Sequence, residues 1–156
     1  MAMNEQRQRV LLVDDYPDAL ETWRLYLNLS GYDVVTAADG RAAVDVAHAS
    51  HPDIIVMDLE LPVLSGIDAA RELRATDDTA GIPMIAATGY SHFNGMDHSR
   101  LNPFDLVLVK PCDPAQLLTQ IRRLLAAPPS SNAGDREALP GTSGSAVVGQ
   151  TNTQNG

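Results

Sequence analysis

Ile54-Ile55-Val56-Met57-Asp58 is a run of four apolar residues, three of them β-branched, closed by a carboxylate. A continuous apolar run of this length reads as a strand buried on both faces. Similar runs occur at Val10 to Val13, Asp33 to Ala37, Met84 to Ala87 and Asp105 to Val109, giving five candidate strands. Helical signals fill the intervals. Pro17 to Leu29 has Pro in the first turn, Leu20, Trp23 and Leu27 at helical spacing, and Gly31 just beyond its end. Asp39 or Gly40 opens a second helix through Ala43, Val44 and Ala47, and Ser65 caps a third, modestly amphipathic one over Gly66 to Ala75. His92 to Leu101 contains Asn94-Gly95 and few apolar residues, so a short or frayed helix is expected there. Asp113 caps the last helix, with Pro114 at its first position and Leu117, Leu118, Ile121, Leu124 and Leu125 on one stripe before Pro128-Pro129. Strands alternating with such crossovers predict a doubly wound (βα)5 parallel sheet, a three-layer α/β/α architecture whose ligands bind beyond the carboxyl ends of the strands.

The 156 residues suit one core, and with 44% apolar but 4% aromatic residues that core rests on Leu, Val, Ile and Ala. Twenty acidic residues against 11 Lys plus Arg give a formal charge of -9, which repels nucleic-acid phosphates and anionic lipids alike. Neither a nucleic-acid surface nor membrane attachment is expected. Met1 to Arg9 is polar and followed by only four apolar residues, which fits no signal peptide or span, and the lone Cys112 can form no internal disulfide; a cytoplasmic location is the expectation. Residues 129–156 are dominated by Gly, Pro, Ser, Thr, Asn and Gln and read as a disordered tail. The chain thus divides into an extension at 1–8, a folded domain at 9–128 and the tail.

The strand ends carry the chemistry. The first ends in Asp14-Asp15 and the third in Asp58, while the fourth runs into Thr88 and the fifth into Lys110. Three carboxylates meeting at one sheet edge repel one another unless a cation or a proton intervenes. An oxygen-only cluster suits a hard divalent ion, Mg²⁺ (or Mn²⁺), and such a site is a natural place for a phosphoryl group. Lys110 and Thr88 then offer a positive charge and a hydroxyl to the phosphoryl oxygens. Every other basic residue is Arg, so the single Lys at 110 fits a need for a compact ammonium. Taken alone, Asp14 and Asp15 also read as caps for the helix at Pro17.

Asp14-Asp15, Gly31-Tyr32-Asp33-Val34 leading into Ala38-Asp39-Gly40, Asp58-Leu59-Glu60-Leu61-Pro62 with Gly66, Thr88, and Lys110-Pro111 together resemble the receiver domain of two-component response regulators. The separations of 30 residues from Asp58 to Thr88 and 22 from Thr88 to Lys110 are similar to those of CheY-like receivers. The resemblance covers about residues 8–127 and implies a flavodoxin-like, CheY-like fold. It implies that Asp58 is the phosphoacceptor, taking a phosphoryl group from a sensor histidine kinase or histidine phosphotransfer protein. Asp15, Asp58 and the backbone carbonyl of Glu60 would contact Mg²⁺, with Asp14 acting through water. Lys110 would pair with the phosphoryl group across a cis Lys110-Pro111 bond, and Thr88 would pass the modification to the face of the fourth helix, fifth strand and fifth helix.

The sequence departs from that family at several positions. Val107 stands where many receivers have a rotating Tyr or Phe, and Phe104 is the nearest aromatic that could substitute in part. Glu60 and Tyr90 occupy positions expected to tune the lifetime of the phosphoryl group. Cys112 reads as a small packing residue, and His48, His51, His92 and His98 match no zinc spacing and read as solvated. The expected function is a single-domain response regulator acting on an unidentified downstream protein or in a phosphorelay, not an enzyme; a homodimer is left open. A receiver-fold module that works without phosphorylation is the alternative. A haloacid-dehalogenase-like phosphatase is disfavoured because its Asp-x-Asp follows the first strand.

Overall fold

A computed structural model describes residues 6–127; the tail expected at 129–156 lies outside the described residues. Five strands, β1 (Arg9–Val13), β2 (Asp33–Ala37), β3 (Ile54–Asp58), β4 (Met84–Gly89) and β5 (Leu106–Lys110), form one parallel sheet in the order β2-β1-β3-β4-β5. Each strand is followed by an α-helix: α1 (Pro17–Leu29), α2 (Gly40–Ser50), α3 (Gly66–Arg74), α4 (Tyr90–Asn94) and α5 (Pro114–Ala126). The doubly wound α/β fold read from the sequence is therefore the observed one.

Alternation along the strands explains the three layers. Leu11, Val13, Ile55, Met57, Met84, Ala86 and Val107 share one core with Ala43, Val44 and Ala47 of α2 and Ile67, Ala70 and Leu73 of α3. Their neighbours Val10, Leu12, Ile54, Val56, Ile85, Ala87, Leu106 and Leu108 point the other way, onto Trp23 and Leu27 of α1 and Leu117, Leu118 and Ile121 of α5. Both faces of the sheet are buried, which is why the strands read as unbroken apolar runs.

The helix starts follow their caps. The carboxylate of Asp39 accepts from the Ala42 amide, the Ser65 hydroxyl from that of Asp68, and the Asp113 carboxylate from that of Ala115. α1 has no side-chain cap of its own on Tyr16; Asp14 Oδ1 accepts the Tyr16 amide at 2.9 Å instead. The expected weak helix is split into five-residue α4, which ends at Asn94 with Gly95 as its C-cap, and a 3₁₀ turn at His98–Leu101. Strand boundaries differ instructively. β3 extends to Asp58, β4 to Gly89 and β5 to Lys110, so the polar residues expected after the apolar runs are paired inside the sheet. Asp105, expected in β5, precedes it: its Oδ2 accepts the Met84 amide at 2.8 Å and faces Arg74 Nη2 at 3.1 Å.

Two glycines permit close approach. A Cβ on Gly66 would lie 2.0 Å from the Asp58 carbonyl oxygen, and one on Gly40 would lie 1.8 Å from that of Leu64. Between them, Leu64 donates its amide to the Pro62 carbonyl at 2.7 Å, closing a γ-turn centred on Val63 at φ 70°. The β3–α3 loop is thereby pressed against the end of β3 and the start of α2.

Candidate functional site

In this strand order the crossovers from β1 and β3 leave in opposite directions, which opens a crevice at their carboxyl ends. Asp14 and Asp15 follow β1 and Asp58 ends β3; carboxylate oxygens of all three lie within 4.8 Å of one another. Asp14 is 3% exposed, and its Oδ2 meets Lys110 Nζ at 2.5 Å. The same ammonium lies 3.4 Å from Asp58 Oδ2, while Asp58 Oδ1 accepts the Glu60 amide at 3.2 Å. The Lys110-Pro111 peptide is cis, as expected.

β4 and β5 deliver the remaining groups through their register. Asp58 pairs with Ala87, the residue before Thr88, and Thr88 pairs with Val109, the residue before Lys110. Thr88 is fully buried, and its Oγ1 has no hydrogen-bond partner among the described residues. A buried hydroxyl is normally satisfied, so one left open beside this cluster is ready for an oxygen-bearing ligand.

Desolvation is the main cause raising the Asp58 pKa; the charge of Asp14 adds to it, and Lys110 and the Glu60 amide oppose it. For Lys110 desolvation is again the largest influence and acts to lower the pKa. The Asp14 hydrogen bond and the charges of Asp58 and Asp14 outweigh it, so the ammonium is held above its ordinary value. The Asp58 shift is thus chiefly one of burial, while the raised Lys110 value reflects the two carboxylates that flank the ammonium. The donor set is oxygen only, so a hard divalent cation fits it.

Other expected positions fall at the rim or in the core. Tyr90, the first residue of α4, is 66% exposed. Val107 and Phe104 are both buried in the core on the α2–α3 side, so Phe104 is not a surface aromatic. Cys112 packs against the α1–α5 core, and burial, with the nearby Asp113 charge, pushes its thiol up to about 11. His48 faces Asp78 at 3.1 Å, and His98 stacks on Phe93. The sequence reading missed one contact: His92 Nδ1 lies 3.0 Å from Glu60 Oε2, joining α4 to the β3–α3 loop. Both residues stand just past neighbouring strand ends, but nothing in their spacing shows that the side chains meet.

The family model for the response regulator receiver domain matches residues 10–122, and the chain belongs to that family. It is 34% identical over 131 residues to the transcriptional regulatory protein PrrA of Mycobacterium tuberculosis, covering 84% of this chain and 55% of the relative. It is 32% identical over 123 residues to the DNA-binding response regulator MtrA of Mycolicibacterium smegmatis, covering 79% of this chain and 53% of that one. The chain thus spans about half the length of the curated relatives it matches. Among solved structures, the receiver domain of the Pseudomonas aeruginosa sensor histidine kinase PA1611 superposes with a TM-score of 0.72 at 34% identity, over 78% of this chain and all of that one. That structure holds a magnesium ion coordinated in the active-site cleft. The chemotaxis response regulator CheY4 of Vibrio cholerae gives a TM-score of 0.70 at 28% identity, over 76% of this chain and 99% of that one. The chain is accordingly a receiver domain of two-component signalling with a CheY-like fold. No described helix is long and apolar enough to cross a membrane.

Proposed function

We propose that Asp58 is the phosphoacceptor of this receiver, in a Mg²⁺-dependent (or Mn²⁺-dependent) reaction with a phosphohistidine on a sensor kinase or phosphotransfer protein in the cytoplasm. The observation that carries the reading is the Lys110 ammonium set against both Asp14 and Asp58, at 2.5 and 3.4 Å, with the open Thr88 hydroxyl on the intervening strand. An Asp58 oxygen attacks phosphorus, the P–N bond of the donor breaks, and the departing imidazole keeps the electron pair and takes up a proton. The product is an acyl phosphate on Asp58. Asp15 and Asp58, the Glu60 carbonyl and, through water, Asp14 would hold the metal, which when bound screens the charge of the approaching anions. Lys110 neutralises one phosphoryl oxygen and the Thr88 hydroxyl donates to another. Glu60 and Tyr90, at the rim, control water access and so the lifetime of the acyl phosphate. The modified domain then presents its altered α4–β5–α5 face to a downstream protein.

Trp23 supplies the test, because Lys110 Nζ sits 5.9 Å from its ring centroid. Beryllofluoride with Mg²⁺ is expected to change Trp23 fluorescence in the native protein and to leave Asp58→Ala unchanged. Acetyl phosphate should add one phosphoryl group to the former only. A phosphorylation-independent module, the reading that the buried, non-aromatic Val107 favours, predicts no response in either protein. Phosphorylation retained in Asp58→Ala would overturn the assignment.

A further inference from the structure

Glu60 touches the site through its main chain and leaves it through its side chain. Its amide donates to Asp58 Oδ1 at 3.2 Å, and its carboxylate reaches His92 Nδ1 at 3.0 Å. At that separation the two polar atoms are in direct contact. His92 is the third residue of α4, a five-residue helix with no fully buried side chain, packed on the core through the partly buried Phe93, with Met96 just beyond its end. An element so lightly held opens at low free energy, so a contact of ordinary strength can bias it. The core route toward the same face passes Val107, which is 1% exposed, lies opposite Ala86, and carries neither a polar group nor a ring.

We propose that the Glu60–His92 contact couples occupation of the Asp58 site to α4, with Glu60 moving with the site's main chain and His92 acting as a positioning residue on the helix. The idea rests on the phosphoacceptor reading. A ligand shifts a helix only through contacts that differ between the two states, and this is a side-chain contact between α4 and a residue whose main chain is bonded to Asp58.

Amide hydrogen exchange at Gly95 and Met96, which bond back to Ser91 and Phe93, reads the helix, while Trp23 fluorescence in the same samples reads occupancy. The quantity compared is the ratio of exchange rates with and without Mg²⁺ and beryllofluoride. In His92→Ala that ratio is expected to shrink toward one by about two- to fivefold, the range for an exposed pair. Beryllofluoride affinity should change by the same factor, because coupling is reciprocal. His92→Asn keeps a polar group near where Nδ1 was and should restore both in part. Faster exchange in His92→Ala with an unchanged ratio would make the contact merely structural and overturn the proposal. A Trp23 response in the native protein without any change at Gly95 and Met96 would overturn it while sparing the phosphoacceptor reading. No Trp23 response at all would overturn both.

Discussion

Asp58 ends β3 with its side chain 13% exposed, a charge held largely out of water. Its pKa is raised in the folded state, so the native chain binds this proton more tightly than the unfolded chain does. Stability from this group is therefore present at low pH and is lost as pH rises from the ordinary 3.8 through the raised value. Asp58→Asn, in chelator at neutral pH, is expected to be more stable than the native protein by about 0.5–2 kcal/mol. The gain should fade as pH drops toward 3.8, and urea midpoints across pH check it. Equal stability at neutral pH would contradict it. Cys112 gives a second prediction: with its thiol pushed up to about 11, alkylation at pH 8 should run on the order of a hundredfold slower than for a free thiol, rising about tenfold per pH unit. The polar residues of the site were legible because their chemistry stands at the ends of apolar runs. His92 was not, because its pairing with Glu60 depends on how two separate crossovers settle side by side.

Among the elements, α3 is tied down by a residue whose role its sequence hides. Arg74 is the last residue of the helix, where a cation complements the dipole. In the structure its Nε donates to Pro103 O at 2.9 Å, and Nη1 to Ala80 O and Ile82 O at 2.6 and 2.7 Å. Nη2 meets Asp105 Oδ2 at 3.1 Å, with the pair's side chains 18% and 14% exposed. One guanidinium thus fastens α3 to the approaches of β4 and β5. Arg74→Ala should destabilise the domain by about 3–5 kcal/mol in urea unfolding, the range for breaking a buried pair. Arg74→Lys should recover only part, since an ammonium cannot span the same acceptors. The capped helices and apolar strands were readable to within a residue or two because caps and burial are local signals. The strand ends ran further because pairing with neighbours carried Asp58, Thr88 and Lys110 into the ladder, which no local pattern records.

For the whole molecule, a formal charge of -9 in 156 residues is repulsion that the fold carries everywhere and concentrates at one crevice. A divalent ion that binds only the native state adds RT ln(1 + [L]/Kd), about 2.7 kcal/mol at a hundred times Kd. Mg²⁺ is therefore expected to raise Tm in the native protein, an effect reversed by EDTA and missing from Asp58→Ala. An equal rise in both would place the metal elsewhere.

The close approaches at Gly40 and Gly66 separate two kinds of selection acting around the β3–α3 loop. A side chain at either position meets backbone at 1.8 or 2.0 Å, so replacement there damages folding itself. At Asp58, whose carbonyl oxygen packs against Gly66, neutralisation is instead expected to stabilise the protein. In a library of single substitutions scored only for protein abundance, the two glycines should be intolerant while position 58 accepts replacement freely. Scored for signalling, the same library should protect all three.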